Sequence, residues 1–99
     1  MTVKVRWTEQ AYARLAEIHE YIAADNPAAA SELVHALVER GDALKDHPRR
    51  GRVVPELRSP EIRELVHRNY RLVYRLSAEL VQVLTVLEGH RRLRSDELE

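Results

Sequence analysis

The sequence predicts an α+β domain of order β-α-α-β-β-β, a helical hairpin packed on a mostly antiparallel sheet, with residues 1–99 forming one domain. Three observations carry this. Residues 62–87 hold three strand-like runs separated by short links of two and three residues, Arg68-Asn69 and Ser77-Ala78-Glu79. Residues 8–47 hold two apolar stripes of helical spacing, broken at Asn26-Pro27. Residues 2–7 alternate apolar and polar side chains.

The opening alternation sets Val3, Val5 and Trp7 against Thr2, Lys4 and Arg6, a strand with one buried face. Thr8 stands where a helix N-cap belongs, and Ala11, Leu15, Ile18 and Ile22 form the stripe of a helix ending near Asp25. Asn26 followed by Pro27 is a second helix start. Ala30, Leu33, Val34, Leu37, Val38 and Leu44 continue that helix until His47-Pro48. Gly41 lies inside it at a cost of about 1 kcal/mol relative to Ala, which close helix packing would explain. Pro48, Gly51, Pro55 and Pro60 then leave room only for a short extended piece at Val53-Val54.

The strands follow as Ile62 to His67, Tyr70 to Leu76 and Leu80 to Leu87. In the middle run Tyr70, Leu72, Tyr74 and Leu76 share one face for burial, leaving Arg71, Val73 and Arg75 to display guanidinium groups on the other. The third run is polar only at Gln82 and Thr85, which places it at the sheet centre.

Composition narrows the function classes. The chain has no cysteine, so it offers neither a disulfide framework nor a thiolate metal site, and a reducing cytoplasm is its expected home. No run approaches the roughly 18 apolar residues of a membrane span. The net charge of zero conceals a division: residues 1–48 carry five Lys and Arg against eight Asp and Glu, residues 49–99 eleven against eight. Arginine outnumbers lysine fourteen to two, and eight arginines lie between Arg49 and Arg75 against three glutamates. Planar guanidinium groups suit bidentate contact with carboxylate or phosphate. A protein working mainly on nucleic acid carries a clearly basic balance, so a protein target fits this chain at least as well.

Five short motifs run through the chain in order: V-x-W-T-x-x-A (Val5 to Ala11), D-N-P-x-A-A (Asp25 to Ala30), H-P-x-x-G-R-x-V-P-E-L (His47 to Leu57), I-R-E-L with Y-R-L-V-Y-R (Ile62 to Leu65 and Tyr70 to Arg75), and V-L-x-V-x-x-G-H-R (Val83 to Arg91). Together they resemble the ParE branch of the RelE/ParE toxin superfamily, the toxin halves of bacterial type II toxin–antitoxin modules. The resemblance implies two activities on one fold. ParE-like members inhibit DNA gyrase and trap it on cleaved DNA, whereas RelE-like members cut messenger RNA in the ribosomal A site, and a fold alone does not choose between them.

Attack by a ribose 2′-hydroxyl needs a base, cations on the phosphate and an acid for the leaving oxygen. The positions that match ribonuclease members are Arg63 and Arg71 as phosphate clamps and His90 as acid or base; Glu56 or Glu88, outside that match, could serve as a base, though a lone loop glutamate is more often solvated than catalytic. A lysine cluster and a tyrosine after residue 74 are both missing. Gyrase inhibition without catalysis is therefore the leading reading, a ribosome-dependent endoribonuclease the alternative, and a member that only binds its partner a third.

The implied partner is a ParD-like or other small DNA-binding antitoxin whose disordered, acidic, amphipathic tail folds onto this domain. Its expected contacts are Arg52, Arg63, Arg71, Arg75, Leu33 and Leu37. The segment Glu88 to Arg94, with His90, Arg91, Arg92 and Arg94, is expected to face gyrase and to have no core role, so that truncation after Gly89 would spare folding. Arg63 and Arg71, on adjacent strands, are expected to lie near carboxylates, from Glu56, from Glu64 or from the antitoxin. His19, His35, His47 and His67 make no metal spacing, and no metal or cofactor is expected. Trp7, Tyr12, Tyr21, Tyr70 and Tyr74 are read mainly as core rather than as a base-stacking platform.

Overall fold

A computed structural model describes residues 2–98; Met1 and Glu99 lie outside the described residues. Its elements are β1 (Lys4–Trp7), α1 (Glu9–Ala23), α2 (Pro27–Asp42), a 3-10 turn (Ala43–Lys45), β2 (Arg52–Val53), β3 (Ile62–His67), β4 (Tyr70–Leu76), β5 (Leu80–Glu88) and a closing 3-10 turn (Ser95–Leu98). Both helix starts are capped by the side chains that mark them in the sequence. Thr8 accepts from the Ala11 N–H and Asn26 from the Ala29 N–H, each at 3.1 Å, with Pro27 in the first turn.

The sheet runs β1-β5-β4-β3-β2, with β1 parallel to β5 and every other pair antiparallel. β4 is thus the central strand, not β5; β5 is interior because β1, arriving before the helical hairpin, takes its outer side. The short piece in the 48–61 loop is a strand of two residues at Arg52–Val53 that pairs with Arg63 and Glu64.

Two apolar clusters flank the sheet. On the helix side Ala11, Leu15, Leu33, Leu37, Leu44, Leu65, Tyr70, Leu72, Tyr74, Val81, Val83 and Val86 pack together. On the other side Val54, Ile62, Val73, Leu84, Leu87 and Leu93 form a second cluster, closed by Leu57 and Leu98. The face of β4 that carries Arg71 is therefore covered by the 54–57 turn and the C-terminal tail instead of displaying its guanidinium groups. A register shift beside Val73 and Tyr74, where Tyr74 pairs with Val83 and Val73 with Thr85, leaves Leu84 as an extra residue in β5. Leu84 and Leu87 thereby join the second cluster while Val83 and Val86 stay in the first.

Gly41 is required by a neighbouring ring, not by helix packing: a Cβ there would lie 2.4 Å from the Trp7 ring, whose indole N–H donates to Asp42. Of the aromatic residues, Tyr70 and Tyr74 are core, whereas Tyr12 and Tyr21 are 58% and 82% exposed. No helix among the described residues is long and apolar enough to cross a membrane.

Candidate functional site

The chemistry of this chain concentrates on the sheet face away from the helices. Glu64 on β3 and Arg71 on β4 point to that face, since Leu65 and Leu72 beside them belong to the helix-side cluster. Arg52 on β2 lies across from Glu64 in register. Arg71 Nε donates to Glu64 Oε1 at 2.6 Å, and Arg52 Nε to Glu64 Oε2 at 2.7 Å. From the 54–57 turn Glu56 meets Arg71 end-on, with Nη1 to Oε2 at 2.7 Å and Nη2 to Oε1 at 2.9 Å. Arg71 Nη1 also donates to the Arg91 carbonyl, and the Leu93 N–H donates to Glu56 Oε2, both at 3.0 Å.

Four of the five N–H donors of Arg71 are thus engaged inside the fold. The Arg71 hydrogen bonds, opposed by desolvation and helped by the Leu93 N–H, hold the Glu56 carboxyl down at about 2. The bond from Glu56, against the cost of burial and with help from Glu64, raises Arg71 above its ordinary value. Glu64 has no exposed side-chain surface, so its charge depends on both arginines.

The tail is part of this cluster. Leu93 is 2% exposed and fills the second apolar cluster, and Arg91 pairs with Glu97 in the closing turn. The expectation that residues 88–94 lack a core role therefore fails at Leu93, one apolar residue among arginines. Around the cluster, Arg52, Arg58, His90, Arg91 and Arg92 rim an open basin of about 720 Å³ whose floor holds Glu56 and Arg71. Arg58 and Arg92 have no ion-pair partner among the described residues. Sequence reasoning passed over Arg58, whose backbone sits at φ 53°, a left-handed conformation that a bulky side chain rarely adopts.

Arg63 lies on the opposite face. It pairs in register with Tyr74, donates through Nη1 to the Gly51 carbonyl at 3.0 Å, and meets no carboxylate among the described residues. Its Nε is buried without a partner among the described residues. It lines a separate cleft of about 370 Å³ with Val3, Pro48, Arg49, Pro60, Glu61 and Leu76. The Tyr74 hydroxyl accepts from the Gly51 N–H at 2.9 Å and donates to the Pro48 carbonyl at 2.7 Å, which fastens the 48–51 loop to the sheet. Burial raises this tyrosine above its usual value.

The positions offered for RNA cleavage are therefore not brought together: Arg63 sits on one face, while Arg71 and His90 sit on the other, with the Arg71 donors consumed. His90 is exposed, 3.7 Å from Glu88. Glu56, at about 2, is too weak a base for work near neutral pH. Among the other singled-out positions, Arg75 and Arg94 are exposed, and Leu33 and Leu37 are turned into the core at 6% and 0% exposure, where a partner cannot reach them without opening the fold. His67 is held below its ordinary value by burial and then by the charges of Arg40 and Arg68. Among the described residues no group of three or more His, Asp or Glu could hold a metal ion.

A family model described as "ParE toxin of type II toxin-antitoxin system, parDE" matches residues 5–93. The chain belongs to this ParE toxin family. The match runs from β1 through Leu93, so it includes the Arg71 cluster and the segment of tail that covers it. The protein named "Putative toxin Y4kP" of Sinorhizobium fredii (strain NBRC 101917 / NGR234) is 38% identical over 91 residues, covering 90% of this chain and 91% of its own. The fold is shared with two solved toxin–antitoxin assemblies. A chain of the chromosomal ParDE system from P. aeruginosa superposes with a TM-score of 0.72 at 24% identity, over 88% of this chain and 96% of its own. A chain of the RelBE2 toxin–antitoxin complex from Mycobacterium tuberculosis does so with a TM-score of 0.66 at 24% identity, over 89% and 92%. This ParE-family chain is a type II toxin–antitoxin toxin on a RelE/ParE-like α+β fold.

Proposed function

We propose that this ParE-family toxin inhibits DNA gyrase without catalysing a reaction of its own, and that a cognate antitoxin neutralises it in the cytoplasm. The observation that carries the reading is the state of Arg71. A guanidinium with four donors fixed by Glu64, Glu56 and a backbone carbonyl is a structural strut with little left to offer a pentavalent phosphate. With Arg63 on the other face and Glu56 held at about 2, no acid and base pair converges on a common point. Membership of the ParE family supports gyrase as the target.

The structural neighbours are toxin–antitoxin systems, which supports an antitoxin partner here. The cleft at Arg63 and Arg49 joins two cations and the carboxylate of Glu61 to the apolar Val3, Pro48, Pro60 and Leu76, a combination suited to an amphipathic tail whose acidic side chains meet the two arginines. Arg52 and Arg75 lie on the opposite sheet face from this cleft and would be reached only by a tail that passes round the sheet edge. On this reading His90, Arg92 and Arg94 remain available to the target, while Arg91 also serves the tail through Glu97. Supercoiling by purified gyrase and messenger cleavage on purified ribosomes, assayed side by side, test the proposal. Inhibition of supercoiling with intact messenger supports it; cleavage that disappears in His90→Ala overturns it.

A further inference from the structure

The basin above the Arg71 cluster has cations to spare. Arg71 on its floor and Arg52 on its rim are neutralised internally, matched by Glu56 and Glu64. Its rim adds Arg58 and Arg92, which meet no carboxylate among the described residues, whereas Arg91 is matched by Glu97 and adds nothing to the surplus. This surplus lies on a chain whose net charge is zero, so it is a local concentration of charge and not a general basic character.

The lining also indicates what the basin does not bind. Apart from Pro55 and Gly89, every lining residue is charged or a histidine. An amphipathic acidic peptide needs apolar seats, which the Arg63 cleft supplies and this basin does not. No Trp, Tyr or Phe lines the basin, so unpaired bases would find no stacking platform of the sort that single-strand binders use. What remains is a repeating anion whose bases stay stacked on one another, the phosphodiester backbone of duplex DNA. Arg58 strengthens the case. Its left-handed backbone holds a long cationic side chain at a turn position that Gly or Asn would occupy with less strain.

We propose that Arg58 and Arg92, with His90 beside them, form a sequence-independent site for the phosphate backbone of duplex DNA. The proposal deepens the gyrase reading and rests on it for its biological setting, since gyrase is the enzyme that would bring duplex DNA to the toxin. Two or three phosphate contacts are far fewer than the 6–10 of a typical DNA-binding protein, so the free domain binds DNA weakly. The contact gains force once gyrase holds both partners close together.

The test measures fluorescence anisotropy of a labelled mixed-sequence duplex of about 20 base pairs with the purified domain, across roughly 50 to 200 mM salt. Wild-type protein should bind weakly, with a salt slope of about −2 to −3 on logarithmic axes. The double variant Arg58→Gln, Arg92→Gln should lose about tenfold in affinity at the low-salt end and flatten the slope by about 2. The double variant Lys4→Gln, Arg6→Gln removes the same charge from β1, at the opposite edge of the sheet from β2, and should bind as wild type does. Equal losses in both variants would reduce the site to net charge and overturn it. Tighter binding of the matching single strand, or displacement of the duplex by an oligoglutamate peptide at lower charge concentration than by pyrophosphate, would also overturn it. Because gyrase is absent from this assay, duplex binding can succeed where the gyrase reading fails, and the reverse.

Discussion

Replacing Arg71 with Met removes one guanidinium and strands two carboxylates. Glu64, with no exposed side-chain surface, keeps only Arg52 at 2.7 Å; Glu56 loses both of its side-chain donors and keeps only the Leu93 N–H at 3.0 Å. Removing one member of a buried ion cluster costs about 3–5 kcal/mol, because the remaining charge is left desolvated. One pair here retains a partner, so we expect about 3–4 kcal/mol, a large share of the roughly 5–15 kcal/mol that holds a small domain together. In a domain near 100 residues this lowers Tm by roughly 12–30 °C. Urea unfolding followed by circular dichroism measures the loss, and amide exchange at Leu93 reports whether the tail has come free. Adding Glu56→Gln and Glu64→Gln to Arg71→Met should recover much of the stability, since the uncompensated charges go with their partner. A loss below about 1 kcal/mol with Leu93 still protected would refute the idea that this cluster fastens the tail to the sheet.

Truncation after Gly89 should destabilise the domain by about 4 kcal/mol or more, since it uncovers Val54, Ile62, Val73, Leu84 and Leu87; Leu93→Ala alone should cost about 2–4 kcal/mol in the same urea titration. Gly51→Ala should cost about 3 kcal/mol, because its Cβ would sit 2.6 Å from the Tyr74 hydroxyl and 2.7 Å from the Glu64 carbonyl. Gly89→Ala, whose nearest contact is the Asn69 carbonyl at 3.3 Å, should cost under about 1 kcal/mol by thermal melt. Glu56 has its folded pKa depressed from 4.5 to about 2, so its stabilising contribution is present above pH 4.5 and is lost as pH falls through about 2. Acid titration of wild type should therefore show a loss of roughly 2–3 kcal/mol in that window that is absent from Glu56→Gln.

The parts of the fold that were legible in the sequence are those written in local spacing. Thr8 and Asn26-Pro27 mark both helix starts because a cap is a contact three residues long. The β3–β4 hairpin shows through Arg68-Asn69, with His67 and Tyr70 paired across it. What stayed hidden depends on distant partners. The parallel pairing of Lys4 with Leu80 joins residues at opposite ends of the chain, and it moves the sheet centre from β5 to β4. The second core rests on Val54, the end of a two-residue apolar piece in a proline-rich loop, and on Leu93, one apolar residue among arginines, neither of which has a period to betray it. Without that cover Arg71 reads as a displayed cation; beneath it the same residue becomes a strut. Leu33 and Leu37 lie on a stripe that suits core or partner equally, and only the three-dimensional packing assigns them to the core.

The measurement that tests the central claim most directly is the fate of supercoiled plasmid incubated with gyrase, ATP and the purified domain, then treated with detergent and protease. A toxin that traps gyrase on cleaved DNA leaves linear plasmid in proportion to the protein added, and it leaves messenger RNA on ribosomes intact. Unimpaired supercoiling with no linear product, together with messenger cleavage on ribosomes, would contradict the account.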